Sequence, residues 1–88
     1  MQILYERSFY KDIEKITDKS IQFKLLDFIE LLKKKNNISD IGSIKKMSGY
    51  SDYFRIRIGN YRLGLKYYDN IITLIRFMHR KEIYKYFP

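Results

Sequence analysis

The chain contains no cysteine, one proline and one histidine, His79. Without cysteine it forms no disulfide and offers no thiolate to a metal, which fits a reducing cytosol. Zinc sites need several histidines or cysteines, and hard cations need clustered carboxylates. The carboxylates of residues 41–88 are Asp52, Asp69 and Glu82, scattered along the sequence. We therefore expect no metal and, since no glycine-rich phosphate loop is present either, no other cofactor.

Long apolar runs are also missing. No stretch is long enough to cross a bilayer, and the first residues, MQILYE, lack the basic and then apolar pattern of a signal peptide. We expect a cytoplasmic protein with no membrane partner. The 88 residues have room for one domain, 1–88, and an apolar content of 45% is typical of a folded chain.

Acidic residues are unevenly distributed. Residues 1–40 carry eight Lys/Arg and seven Asp/Glu, whereas residues 41–88 carry ten Lys/Arg and three Asp/Glu. Almost all of the net charge of +8 thus lies in the second part. This asymmetry indicates a polyanionic partner, either a nucleic acid or an acidic protein. Scattered lysines are also typical of a solvated surface, but arginines on one face of a sheet are harder to explain that way.

The sequence predicts a hairpin with such a face. Residues 53–66 read YFRIRIGNYRLGLK, two alternating runs joined by Gly59-Asn60, which indicates a two-residue turn. The side chains predicted on one face are those of Tyr53, Arg55, Arg57, Arg62, Gly64 and Lys66. The opposite, core face receives Phe54, Ile56, Ile58, Tyr61, Leu63 and Leu65. Arg57 then lies opposite Arg62, an unfavourable pair with no nearby carboxylate. We infer that this face binds an anion, most simply a phosphodiester.

The other elements follow from apolar spacing and capping signals. They are a strand at 2–6, a helix from an N-cap at Ser8 to about residue 17, a helix from an N-cap at Asp18 to about Lys35, a loop-rich connection at 36–52, and strands at 53–58, 61–68 and 71–78. Glu30 and Lys34 form a favourable i,i+4 pair. The predicted order is β-α-α-β-β-β, an α+β fold with a short N-terminal strand and two helices packed on an antiparallel sheet.

One register stays open. The turn at Asp69-Asn70 has either two or three loop residues, and a shift of one residue moves every side chain of the last strand to the other face. The sequence therefore does not fix the face that Arg76 joins, nor the conformation of residues 79–88.

One reaction suits a site of arginine, lysine and tyrosine: metal-free cleavage of RNA, in which the ribose 2′-hydroxyl attacks the adjacent phosphorus. Guanidinium groups match phosphate oxygens bidentately, but arginine is a poor base because it stays protonated. The proton must then move through a tyrosine, a lysine or His79, although a histidine at a strand end also suits a purely structural role. The tyrosine and lysine candidates are Tyr53, Lys66, Tyr84 and Tyr86. The tyrosines among them are also candidates for stacking on RNA bases.

Three segments resemble the RelE/ParE superfamily of toxins from type II toxin–antitoxin systems. Residues 45–63, KKMSGYSDYFRIRIGNYRL, are similar to the core signature of the superfamily. Residues 76–84, RFMHRKEIY, resemble its RelE branch, and residues 8–13, SFYKDI, suit its first helix. The resemblance implies a RelE-like fold and an endoribonuclease (mRNA interferase) that cleaves mRNA in the ribosomal A site and inhibits translation. It also implies a cognate antitoxin protein as a partner.

The resemblance further implies roles for single residues. These roles are scissile-phosphate binding for Arg55 and Arg57, transition-state stabilisation for Arg62, and contact with the leaving 5′-oxygen for Arg80. The C-terminal tyrosine of the family aligns with Tyr84 or Tyr86, of which Tyr84 ends the matching run. His79, next to Arg80, is a further candidate acid. Residues predicted to contact RNA are Lys45, Lys46, Tyr53, Lys66 and Lys81.

Two other functions remain possible on these residues. A ParE-like toxin of the same fold poisons DNA gyrase and cleaves no RNA, but would not need the arginine face together with a C-terminal arginine and tyrosine. A non-catalytic nucleic-acid-binding module would hold backbone phosphates with the same face.

Overall fold

The computed structural model of the protein describes residues 1–88 and contains a five-stranded sheet and three helices. The strands are β1 (Gln2–Tyr5), β2 (Ile44–Lys46), β3 (Tyr53–Ile58), β4 (Tyr61–Tyr68) and β5 (Ile71–His79). The helices are α1 (Arg7–Glu14), α2 (Lys19–Lys34) and α3 (Arg80–Tyr86), with a 3₁₀ turn at Ile38–Asp40. The strand order is β1-β5-β4-β3-β2, and all neighbours are antiparallel except β1 and β5. The predicted α+β class is confirmed, with β2 and α3 as additions.

The hairpin of β3 and β4 has the predicted register. Ile58 pairs with Tyr61, Arg57 with Arg62, and Arg55 with Gly64. Gly59 has a φ of 59°, and Asn60 has a negative φ, which is the pattern of a type II′ turn. The twist of such a turn matches that of the flanking strands, so the Gly-Asn pair fixes which side chains share a face.

The hairpin of β4 and β5 combines a two-residue turn with a bulge. Asp69 and Asn70 have φ values of 53° and 61°, as a type I′ turn requires. Leu65 pairs with Leu74, but the preceding residue, Gly64, pairs with Arg76, so the register shifts by one residue. The bulge places Arg76 beside Gly64 on the arginine face, by which we mean the face of the sheet that carries Arg55, Arg57 and Arg62.

The main core lies between the sheet and the first two helices. Its fourteen buried residues are Phe9, Ile16, Ile21, Leu25, Ile29, Leu32, Ile41, Ile56, Ile58, Leu63, Leu65, Ile72, Leu74 and Phe77. The set includes four residues of α2 at helical spacing and four of the six residues predicted on the core face of the first hairpin. The other two, Phe54 and Tyr61, are partly buried and pack against this core. None of the helices has the length and apolar character needed to cross a bilayer.

The last helix covers part of the opposite face. Ile83 and Phe87 are buried there, and neither belongs to the main core. The Phe87 ring lies over Gly64, where an added Cβ atom would be only 2.7 Å from the ring. Tyr53 packs edge to face against the same ring at 5.8 Å. The arginine face is therefore half covered by α3 and half open.

Several local predictions need correction. Asp18 caps α2 as expected, since its carboxylate accepts from the backbone N–H of Ser20 at 2.9 Å. Ser8 is not an N-cap: α1 begins at Arg7, directly after β1, and the Ser8 hydroxyl donates to the carbonyl of Ile75. Glu30 pairs with Lys33 rather than with Lys34, at 3.0 Å. The segment 36–52 includes the strand β2, and α1 ends at Glu14 rather than near residue 17.

Candidate active site

A shallow cavity of about 250 Å³ lies on the open half of the arginine face. It is lined by Ser43, Lys45, Arg55, Arg57 and Arg62, with no apolar and no acidic side chain. The strand register explains this grouping, because Lys45 pairs with Arg55 and Arg57 pairs with Arg62. The molecule has two ion pairs, Lys33–Glu30 and Arg76–Asp12, so the cations of the cavity have no carboxylate partner.

Arg62 is the centre of this group. Its Nη1 donates to the carbonyl oxygens of Gly59 at 3.0 Å and of Tyr61 at 2.9 Å, which fixes the guanidinium against the hairpin turn. Partial burial lowers the pKa of Arg62, and the positive charges of Arg55 and Arg57 lower it further. These neighbours favour a negative ligand, because an anion would remove the repulsion among the three groups.

Arg80 approaches from the start of α3. Its backbone N–H donates to the carbonyl of Asn60 at 2.8 Å, which ties the start of the helix to the first hairpin turn. The charge of Arg80 also lowers the pKa of Arg62, so its side chain lies within electrostatic range. One turn therefore positions two arginines that are distant in sequence.

Tyr84 completes the group from the same helix. The guanidinium carbon of Arg55 lies 4.7 Å from the centroid of the Tyr84 ring, a cation–π contact. Tyr84 raises the pKa of Arg62, opposite to the arginines, so it lies within electrostatic range of that side chain too. The ring is 69% exposed and thus accessible to a ligand. We call Arg55, Arg57, Arg62, Arg80 and Tyr84 the arginine cluster.

Comparisons with known proteins agree with this geometry. A family model described as "ParE toxin of type II toxin-antitoxin system, parDE" matches residues 3–84. The Toxin RelE3 of Methanocaldococcus jannaschii is 38% identical over 89 residues, covering 100% of both chains. The chain belongs to the RelE/ParE toxin superfamily. It is a RelE-like toxin of a type II toxin–antitoxin system.

Solved structures give the same result for this RelE-like toxin. A chain in the crystal structure of the RelB-RelE antitoxin-toxin complex from Methanococcus jannaschii matches with a TM-score of 0.83 and 36% identity, covering 97% of this chain and 99% of that one. The YoeB dimer from Staphylococcus aureus matches with a TM-score of 0.72 at 20% identity, covering 91% of this chain and 97% of that one, and shows the shared fold alone.

Tyr86 and His79 lie apart from the cluster. Tyr86 stacks on Arg76 of β5 at 5.3 Å, two strands away from Arg55 on β3. His79 is the N-cap of α3, and its Nδ1 accepts from the backbone N–H of Lys81 at 3.2 Å. Its ring packs against Tyr61 on the core face of the sheet, which α1 and α2 cover. In this RelE-like toxin, Tyr84 is therefore the candidate tyrosine that meets the arginines, and His79 has a structural contact instead.

The residues predicted to contact RNA also divide into groups. Lys45 lines the cavity. Lys46 pairs with Phe54 and so points to the opposite face of the sheet. Tyr53 is half-buried against Phe87, and the exposed Lys66 lies opposite Tyr53, outside the cavity. Lys81 is exposed on α3, and its side chain does not line the cavity.

Sequence reasoning missed Ser43. This residue has a φ of 59°, a left-handed conformation that is uncommon for serine, and it leads directly into β2 and Lys45. Its hydroxyl is the one neutral hydrogen-bonding side chain in the lining of the cavity. The Gly42-Ser43 dipeptide indicates a turn, but nothing in the sequence indicates that the turn borders the arginines.

Proposed function

We propose that this toxin is a ribosome-dependent endoribonuclease that cleaves mRNA without a metal and thereby inhibits translation in the cytoplasm. The observation that supports the proposal best is the arginine cluster: four guanidinium groups without a carboxylate partner, next to one exposed phenol. The unpaired positive charge suits a phosphodiester, whose charge increases as the reaction proceeds.

The reaction requires the 2′-oxygen of a ribose to attack the adjacent phosphorus. The P–O5′ bond breaks, leaving a 2′,3′-cyclic phosphate on one product and a 5′-hydroxyl on the other. Arg55 and Arg57 are proposed to bind the non-bridging oxygens, and Arg62 is proposed to stabilise the extra charge that develops on phosphorus. Each such preorganised contact contributes roughly 10²- to 10³-fold in rate.

Proton transfer is assigned to Tyr84. An arginine stays protonated near neutral pH, so within the cluster only the phenol both accepts and donates a proton. Arg80, held at the start of α3, is proposed to stabilise the leaving 5′-oxygen. Since no three His, Asp or Glu side chains are grouped to bind a metal ion, the arginines would stabilise the developing charge.

Two partners follow from the proposal. The ribosomal A site, with its mRNA, would present the substrate and is expected from the resemblance to RelE. A cognate antitoxin is expected because a similar toxin was crystallised as a complex of RelB with RelE. We expect that antitoxin to be acidic or to carry an amphipathic helix that covers apolar surface near the basic face.

A gyrase poison is the second candidate, since the family model that matches residues 3–84 is described as a ParE toxin. A protein that acts by binding gyrase does not need Tyr84 among unpaired arginines. The two functions differ in what happens to mRNA and to DNA, and this difference permits a direct test.

The test is inducible expression followed by mapping of mRNA 5′ ends in growing cells. We expect cuts in phase with codons for the wild-type chain and none for Arg62→Ala, with Lys34→Ala as an exposed control that cuts normally. Circular dichroism checks that Arg62→Ala is folded. Intact mRNA with an SOS response would favour the gyrase poison, and intact mRNA without toxicity would favour a non-catalytic module.

A further inference from the structure

A second basic surface lies between α1 and β5, outside the arginine cluster. It is a polar hollow of about 340 Å³ that contains no apolar side chain. The lining residues are Arg7, Ser8, Lys11, Asp12, Lys15 and Arg76. Arg7, Lys11 and Lys15 follow one another at four-residue spacing, so helical geometry puts them on one side of α1.

The carboxylate in this hollow does not neutralise the lysines. Asp12 is 4% exposed and accepts three hydrogen bonds. Two come from Nε and Nη2 of Arg76, at 2.8 and 2.9 Å, and one comes from the backbone N–H of Phe77 at 3.0 Å. Arg76 thus uses one side of its guanidinium for Asp12, while its Nη1 has no partner in the chain. Three further cations remain without any ion pair.

The arrangement on α1 is unfavourable for an isolated protein. Like charges at i,i+4 destabilise a helix by about 0.2–0.5 kcal/mol per pair, and Arg7 with Lys11 makes one such pair within α1, followed by Lys15 at the C-cap. The helix dipole disfavours Arg7 in the first turn, which has no acidic residue, and favours Lys11 in the last turn. Three exposed glutamates lie near α1, none of them lining the hollow: Glu6 borders Tyr86, Glu14 borders the apolar side of α2, and Glu82 lines a separate cavity with Lys15. An external anion would relieve this repulsion.

The hollow is connected to the arginine cluster through α3. Arg76 lies in one row with Gly64 and Arg55, two strands apart, or about 10 Å at the spacing of a sheet. Tyr84 stacks on Arg55, and Tyr86 stacks on Arg76. Both rings are more than half exposed and offer surfaces on which RNA bases stack.

We propose that Arg7, Lys11, Lys15 and Arg76 form a second site for the phosphodiester backbone of RNA, separate from the site of cleavage. This inference rests on the proposed function for the choice of RNA as the ligand. The site would bind a phosphate group some distance along the strand from the scissile bond, or a phosphate of ribosomal RNA. It adds affinity and orientation without taking part in the chemistry.

The test compares Lys11→Gln/Lys15→Gln with Lys19→Gln/Lys34→Gln, a control that removes the same charge from exposed positions of α2. One probe is a single-stranded RNA with a methyl group on every 2′-oxygen, which blocks cleavage. A dinucleotide of the same chemistry is too short to reach both sites. The second probe is purified ribosomes. Binding is measured as a function of salt concentration.

At about 0.1 M salt, we expect Lys11→Gln/Lys15→Gln to lose a factor of roughly 10 or more in affinity for the methylated RNA strand, for the ribosome, or for both. For the single strand, the slope of log K against log salt should fall by about 1.4, or 0.7 for each lost phosphate contact. Dinucleotide binding should not change, and the control should match wild type. A change with the free strand identifies mRNA as the source of the phosphate, and a change with ribosomes alone identifies ribosomal RNA.

Equal slopes for both variants with both probes would overturn the second site and leave the proposed cleavage intact. A poly-glutamate peptide serves as a third probe. If the Lys11→Gln/Lys15→Gln variant binds only this peptide more weakly than wild type, the hollow binds an acidic protein and the proposal is overturned as well. A wild-type chain that cuts no mRNA while the salt slope still changes would overturn the proposed reaction and support the second site.

Discussion

The ring of Phe87 lies against Gly64, at a distance that leaves no space for a side chain at residue 64. A Cβ atom there would be 2.7 Å from the ring, closer than real contacts allow. Gly64 lies in one row with Arg55 and Arg76, in the middle of the arginine face. The glycine thus permits α3 to lie on the face and to carry Tyr84 to the arginines.

Replacing Gly64 should displace α3 and, with it, the Tyr84 side chain of the arginine cluster. In Gly64→Ala, we expect the ring of Phe87 to move outward and α3 to shift with it, at a cost on the order of 1–3 kcal/mol in the free energy of unfolding. Displacing Tyr84 by about 1 Å should lower mRNA cleavage by on the order of 10²-fold. Thermal unfolding and mapping of mRNA 5′ ends measure the two effects.

The control for that prediction is a double-mutant cycle with Phe87→Ala. If the ring is the obstacle, Gly64→Ala should cost much less in the Phe87→Ala background than in the wild-type chain. Equal costs in both backgrounds, or wild-type activity in Gly64→Ala, would show that the contact does not position the helix.

Arg57→Gln should increase stability while it lowers activity. Arg57 lies directly opposite Arg62, and removing one of two facing like charges should raise the free energy of unfolding by about 0.2–1 kcal/mol. For a domain of this size, the melting temperature would rise by about 1–8 °C, less at high salt. Lys34→Gln is the exposed control and should leave the melting temperature nearly unchanged. A lower melting temperature for Arg57→Gln would show that repulsion between Arg57 and Arg62 does not destabilise the fold.

The two tyrosines of α3 should behave differently when each is changed to phenylalanine. Tyr84→Phe keeps the ring against Arg55 but removes the hydroxyl, and we expect mRNA cleavage to fall by roughly 10²- to 10⁴-fold. Tyr86→Phe keeps its ring against Arg76 and should cleave nearly as well as wild type. Codon-phased cuts per unit of expressed protein are the measurement.

His79 provides the alternative outcome. If both phenylalanine variants remain fully active, the proton must pass through another group, and His79→Asn becomes the informative change. Asparagine is a good N-cap, so this variant keeps the cap of α3 while removing the imidazole. We expect it to remain active, and a large loss would assign the proton to His79.

Asp12→Asn should be strongly destabilising. The substitution leaves Arg76 without its buried partner, and breaking such a pair costs about 3–5 kcal/mol, a large part of the stability of a small domain. Asp27→Asn, at an exposed position of α2, should change stability by no more than about 0.5 kcal/mol. Urea denaturation of both variants measures the difference, and similar midpoints would mean that the Asp12–Arg76 pair contributes little.

The sequence was sufficient for the first hairpin because the information there is local. Gly59-Asn60 selects a two-residue turn, and the alternation on both sides then fixes every face. The grouping of Arg55, Arg57 and Arg62 follows from that turn alone. The same holds for α2, whose N-cap at Asp18 and apolar stripe lie within one segment.

The register of the second hairpin, formed by β4 and β5, does not follow from the local sequence. A two-residue turn at Asp69-Asn70 without a bulge would have paired Arg76 with Leu63 on the core face. The bulge at Gly64 instead brings Phe77 to the core and Arg76 to the arginine face, where Asp12 binds it. The burial of Phe77 and the Arg76–Asp12 ion pair both depend on residues that are distant in the sequence. The local sequence around the turn therefore does not predict the register.

The remaining differences have the same origin. The strand β2 has three residues, too few for a periodic pattern, and it exists because β3 offers a free edge. The position of α3 depends on the space above Gly64. Ser8 resembles an N-cap, but its hydroxyl finds the carbonyl of Ile75 on β5, an acceptor that local sequence does not predict.

The parallel pairing of β1 with β5 has a consequence for folding during synthesis on the ribosome. Gln2 pairs with Ile71, so during synthesis β1 has no neighbour in the sheet until β5 has been made. Arg80 and Tyr84 emerge later still. A chain whose synthesis stops before residue 80 therefore holds its hairpin arginines without Arg80 and Tyr84, the two groups that complete the cluster.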